Sequence, residues 1–284
     1  MIDAVIGLPR LNKVLGSLQK MTSVLAEPVQ YRLPVGEQEI ALNPLLGRPL
    51  SLHFSGQIFC VHCAKKTQKS FNQGYCYPCF IKLAQCDMCI MKPETCHYAA
   101  GTCREPNWGE EFCFQPHIVY LANSSGIKVG ITRQSQTPTR WIDQGAVQAL
   151  PIFKVASRHQ SGLIEVTLAQ HVSDKTSWQK MLKNNTIPLD LPVIRDQLLK
   201  ECAEQLQGIA ARFPESPPQR LTDVEPLTLD YPVLQYPSKV KSFNFDKEPL
   251  VSGVLEGIKG QYLLFDTGVI NIRKFAGYEV EVTA

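Results

Sequence analysis

Nine of the ten cysteines in this 284-residue chain lie between residues 60 and 113, and nothing else in the sequence constrains its folding as tightly. They open as Cys60-Val61-His62-Cys63 and Cys76-Tyr77-Pro78-Cys79, two C-x2-C pairs separated by twelve residues. Each pair lets two thiolates and the following backbone amides wrap one ion, and two pairs complete a tetrahedral shell. Zinc suits four thiolates because it needs no redox change. A disulfide framework is the competing reading, but such frameworks belong to small stapled secreted domains. The start Met1-Ile2-Asp3 is acidic, and the apolar stretch 4–9 is too short for the core of a signal peptide. A reducing, cytoplasmic setting with structural zinc is therefore expected.

A second cluster follows. Cys86 and Cys89 form another C-x2-C pair, and its partners must come from Cys96, His97, Cys103, Cys113 and His117. Cys103 and Cys113 are the preferred choice, with Cys96 or His97 next. A cross-braced arrangement and an iron–sulfur cluster are the alternatives. The ligand count predicts about two zinc ions per chain.

Charge adds little by itself, since the formal net value is +3. Residues 60–140 hold nine Lys/Arg against five Asp/Glu, so the local balance is basic. Lys65, Lys66 and Lys69 could offset the net −2 of a four-cysteine zinc site or contact phosphate. No run of about 18 apolar residues occurs, so no membrane span is expected.

Around the cysteines the chain divides into five stretches. Residues 1–59 read as an N-terminal β segment, with the strand before Cys60 running straight into the first knuckle, as in a zinc ribbon. Residues 60–116 are the cysteine-rich zinc-binding region. Residues 117–212 read as an α/β domain. It begins with a hairpin, His117–Ala122 and Ile127–Thr132, and Thr137-Pro138 then looks like an N-cap with Pro at the first helical position. A further strand, a helix over about 161–172, a helix start at Asp174–Trp178 and one long amphipathic helix over 191–212 complete it. Residues 213–248 carry six prolines before position 238 and read as a linker or an irregular wrap. Residues 249–284 form a C-terminal β segment that can pair with the N-terminal strands.

The order apolar-Tyr120, Lys128-Val129-Gly130-Ile131-Thr132, Arg140, then Glu165-x2-Leu168-x2-His171 resembles the GIY-YIG endonuclease superfamily. The likeness is nearest the branch whose second motif reads Lys-Ile-Gly, and it covers roughly residues 117–172. It implies a metal-dependent phosphodiesterase acting on DNA or RNA. In it Glu165 holds Mg²⁺ or Mn²⁺, Tyr120 orients or deprotonates the water, Arg140 grips phosphoryl oxygens and Lys128 adds a charge. Two departures stand out: Lys128 replaces the second tyrosine, and the terminal asparagine has no clear counterpart beyond Asn184 or Asn185. With the cysteines and Gly257-Ile258-Lys259-Gly260-Gln261-Tyr262, the whole chain is also similar to an uncharacterised bacterial family of unknown function.

The fold class expected is α+β: a zinc-ribbon module, then a small GIY-YIG-like α/β domain, with flanking N- and C-terminal β segments. The leading functional expectation is a zinc-containing nucleic-acid-binding protein that cuts its ligand. The rival is a non-catalytic zinc-knuckle module binding RNA or a protein, and a third is unrelated chemistry in the cleft between the two regions.

Overall fold

The computed structural model describes residues 13–172 and 177–284. The N-terminal stretch weighed above as a leader, and most of the helix start at Asp174–Trp178, lie outside them.

In chain order the first five strands are β1 (Val14–Ser17), β2 (Thr22–Val24), β3 (Gln30–Val35), β4 (Gln38–Ala41) and the long β5 (Pro49–Phe59). The cysteine-rich region holds β6 (Lys66–Thr67), α1 (Tyr77–Lys82), α2 (Met88–Met91) and α3 (Pro106–Cys113). Next come β7 (His117–Asn123), β8 (Ile127–Arg133), α4 (Thr139–Asp143), β9 (Gln148–Val155) and α5 (Arg158–Ala169). They are followed by α6 (Trp178–Leu182), α7 (Leu191–Glu201) and α8 (Ala203–Ala211). The chain closes with β10 (Gln219–Arg220), β11 (Leu227–Thr228), β12 (Leu250–Lys259), β13 (Tyr262–Phe265), β14 (Gly268–Asn271) and β15 (Tyr278–Thr283).

The two ends of the chain build one sheet. β15 lies between β1 and β5, and β5 continues to β12, β13 and β14. Val280 and Val282, which face inward from β15, are fully buried, as the period-2 pattern of a half-buried strand requires. The second sheet has the order β10-β9-β7-β8, with β11 also on β9, and all pairings are antiparallel.

Strand β7 is buried at every position because both its faces are covered. Ile118, Tyr120 and Ala122 join the core shared with the terminal sheet. Val119 and Leu121 join a second core, with Ile164 and Leu168 of α5 and with Leu198 and Leu206 of α7 and α8. That is why the sequence shows a continuous apolar run there instead of an alternation.

Three local expectations change. The helix expected at about 161 starts at Arg158, where the Ser157 hydroxyl caps it by accepting from the Gln160 amide. Thr137 is no cap: its hydroxyl donates back to the Gln134 carbonyl at 2.7 Å, and α4 starts at Thr139. The single helix expected over 191–212 breaks at Cys202, whose backbone leaves the helical region (φ −99°, ψ 13°). Cys202 is fully buried, with its thiol 3.9 Å from the Thr167 carbonyl of α5. The proline-rich stretch 213–248 wraps both sheets. It supplies β10 and β11 to β9, and it buries Leu229, Tyr231, Phe243 and Phe245 in the shared core. Among the described residues no helix is long and apolar enough to cross a membrane.

Candidate metal centre and phosphate site

Strand β5 delivers its last residue, Phe59, directly to Cys60. The chain then reverses through the first knuckle, so that β6 pairs back on β5. Two hydrogen bonds shape this turn, Cys60 N–H to the Lys65 carbonyl and Ala64 N–H to the Cys60 carbonyl, each 2.9 Å. Cys76 stands at the N-cap of α1, and Pro78 lies in the first turn, where its missing N–H is needed by no intrahelical bond. Cys79 therefore faces back toward Cys76. The four thiols of Cys60, Cys63, Cys76 and Cys79 lie within 4.8 Å of one another, and Cys63 and Cys76 are 3.8 Å apart, sulfur to sulfur. A zinc–sulfur bond of ~2.3 Å in a tetrahedron gives sulfur spacings of ~3.8 Å, so the cluster fits a structural zinc site. Burial opposes ionisation of Cys60, but the amides of Cys63, Cys76 and His62 outweigh it and bring the thiol down to about 6. Burial and the other three thiols push Cys79 up. The amides around Cys60 favour the thiolate that an ion needs, and the metal must displace the thiol protons.

Cys86 and Cys89, a knuckle by spacing, part company. Cys86 ends a 3-10 turn, is buried beside Asn72, and faces the Cys60 side. Asp87 then caps α2, accepting from the Cys89 amide, and turns Cys89 to the opposite side. There Cys89, Cys96, Cys103 and Cys113 line one small pocket. Its thiol is pushed up to about 12, by burial first and then by Asp87 and the three other cysteines. His97 also lines this pocket. His117 does not: its Nδ1 donates to the Gln115 carbonyl at 2.7 Å, and burial lowers its pKa to about 4.

Three of the residues carried by the nuclease resemblance come together from three elements. Tyr120 on β7 is fully buried, and its hydroxyl donates to Gln144 Oε1 at 3.2 Å, just past α4. Arg140 of α4 lies beside it, and Glu165 of α5 is close enough to both to perturb the phenol. Burial raises the Tyr120 pKa above its usual value, so the phenol keeps its proton. Burial also raises Glu165, to about 7, against the opposing pull of Arg158 and Arg140. Gly130 sits directly across from Tyr120 on β8, and a side chain there would meet the phenol ring at 2.7 Å. Glycine in the second motif is thus a packing requirement of the tyrosine in the first. Lys128 pairs with Ala122, two residues along the same face. Asn184 lies elsewhere, accepting from Lys259 Nζ at 3.0 Å.

Two features escape a sequence reading. Glu94, from the cysteine-rich region, is near enough to Glu165 to raise its pKa further. It is brought there because Gly162 of α5 has no side chain: a Cβ would meet Pro93 at 2.6 Å and the Glu94 amide at 2.7 Å. Arg273, some 130 residues beyond Arg140, lines the same open groove, with Gln19, Cys60, Asn72 and Met91. Arg273 Nε donates to Gln73 Oε1 at 2.7 Å, and burial and then Arg140 depress its pKa. Two guanidinium groups facing one groove make a site suited to an anion. In the sequence Arg273 is one of two adjacent cations, with Lys274, and nothing there links it to Arg140.

Residues 47–280 match the model of a family described as protein of unknown function (DUF2797), and the chain belongs to that family. No curated protein and no solved structure matches it.

Proposed function

We propose that this DUF2797 member is a nucleic-acid-binding protein, braced by zinc, whose GIY-YIG-like site hydrolyses phosphodiester bonds. The observation that carries the reading is that Arg140, near both Tyr120 and Glu165, lines one groove with Arg273. Their order along the chain follows the superfamily's, and β7, α4 and α5 fold them into one place.

In this reading Arg140 grips phosphoryl oxygens with its planar fork, and Arg273 takes a neighbouring phosphate oxygen. The anion relieves the repulsion between the two cations. Tyr120 is buried too deeply to handle the attacking water, so its work is to position Arg140 and Gln144. Glu165, a hard oxygen donor in a partly desolvated setting, suits Mg²⁺ or Mn²⁺. When bound, such an ion supplies charge stabilisation to the transferred phosphoryl group. Lys128 adds a point charge on the Tyr120 face.

The burial of Tyr120 favours a second reading, a non-catalytic module that grips a nucleic-acid backbone. Both are tested by incubating the purified protein with labelled single- and double-stranded DNA and RNA, with Mg²⁺, Mn²⁺ or chelator. Metal-dependent cleavage supports the hydrolytic reading. Salt-sensitive binding without cleavage of any substrate supports the module. Neither binding nor cleavage removes nucleic acid as the ligand.

A further inference from the structure

We infer that Cys89, Cys96, Cys103 and Cys113 hold a second zinc ion and that Cys86, despite its C-x2-C spacing, takes no part. All four line one pocket, and Cys86 lies outside it on the groove side. Helix α3 supplies the geometry. Gly109 and Cys113 are four residues apart and share a face, and the Cys103 sulfur lies 3.6 Å from where a Gly109 Cβ would stand. Cys103 therefore packs against the face of α3 that carries Cys113.

A rival ligand set is Asp87, Cys89 and His97, and its ligand atoms, unlike the four thiols, all lie within 4.8 Å of one another. Its members have other work. Asp87 pairs with Arg104 Nε at 2.6 Å while capping α2. His97 Nδ1 is 2.8 Å from the Thr102 hydroxyl, and its Nε2 faces Asp87 at 3.5 Å. A cation there would compete with Arg104 for one carboxylate, whereas four thiols offer the soft donors that select zinc.

The packing of this segment gives an independent reason. Across residues 87–116 only Pro93 and Gly109 are buried, and Met88, Met91 and Phe114 are at least half exposed. Thirty residues of short helical turns cannot be fixed by so little apolar burial, and small units of this kind need a disulfide or a metal. Binding releases four thiol protons to solvent and leaves a site of net charge −2, for which Arg158 and Arg133 beside Cys113 are the counterions.

The test uses the full chain. Native mass spectrometry and elemental analysis should give two zinc ions per chain for wild type, two for Cys86→Ser, and one for Cys103→Ser. Because Cys103→Ser can fail to fold, wild-type protein exchanged with ¹¹³Cd provides a second measurement. Two cadmium resonances should each correlate with the β-protons of four cysteines, one set being 89, 96, 103 and 113. The inference is overturned by one zinc in wild type, by iron with visible absorbance, or by loss of an ion in Cys86→Ser. Disulfides among these four, or cadmium coupled to His97 or Cys86, also overturn it.

Discussion

Arg158, the first residue of α5, donates from its Nη2 to the carbonyl of Ile90 in α2. Ile90 directly follows Cys89, and Arg158 also lies beside Glu165. One side chain thus ties the cysteine-rich region to the helix that carries the candidate metal-binding carboxylate. The Pro93–Thr95 turn resting on Gly162, four residues further along α5, makes a second tie. Loss of structure around the cysteines is therefore expected to reach Glu165 and its neighbours.

Removing a ligand of the first zinc should show this. Zinc binding in such knuckles is folding free energy, on the order of 10–16 kcal/mol apparent. Cys60→Ser and Cys79→Ser should each yield insoluble or partly unfolded protein, read by circular dichroism and limited proteolysis. A variant that folds normally with one ion fewer would show the site to be dispensable.

Two glycine substitutions should have opposite signs. At Gly130 a methyl group meets the Tyr120 ring at 2.7 Å, so Gly130→Ala should cost about 1–3 kcal/mol in urea unfolding. It should also displace Arg140's neighbour. At Gly208 in α8 nothing lies within 4 Å, so Gly208→Ala should gain about 0.5–1 kcal/mol.

Lys259 predicts a pH dependence. Its side chain is fully buried against Asn184, Tyr231 and Tyr236, and burial lowers its pKa from 10.5 to about 8. Between those values the unfolded chain holds a proton that the folded one has released, so stability should rise with pH across that window. Lys259→Met should be more stable than wild type at pH 7, by roughly 1–3 kcal/mol. That advantage should vanish by pH 10.5 in thermal unfolding. An advantage that stays constant over the window would assign the effect to packing alone.

What could be read in advance follows from how local each signal is. The Cys60–Cys79 site was legible because two short spacings and a hairpin define it, and the thiols meet as the spacing requires. The same reasoning pairs Cys86 with Cys89, yet the two line different cavities, and spacing is blind to the Asp87 cap between them. Strands β7 and β8 were visible from their apolar runs, yet the full burial of Tyr120 depends on a terminal sheet assembled from both ends of the chain. Arg273 and Glu94 reach the site only through tertiary packing, and no periodicity could have announced them. The stretch 213–248 looked like a linker because its prolines withhold the donors of long strands, while its aromatic residues do the packing.

The most direct measurement compares wild type and Glu165→Ala on the labelled oligonucleotide that wild type binds best, scoring binding and Mg²⁺- or Mn²⁺-dependent cleavage together. Losing Glu165 removes the oxygen donor and its partial negative charge near neutral pH, while leaving Arg140 and Arg273 in place. Binding should persist or tighten, and cleavage should stop. Arg140→Ala, by contrast, should weaken both, since a phosphate clamp acts in the ground state and in the transition state. Cleavage by Glu165→Ala at the wild-type rate would contradict the account.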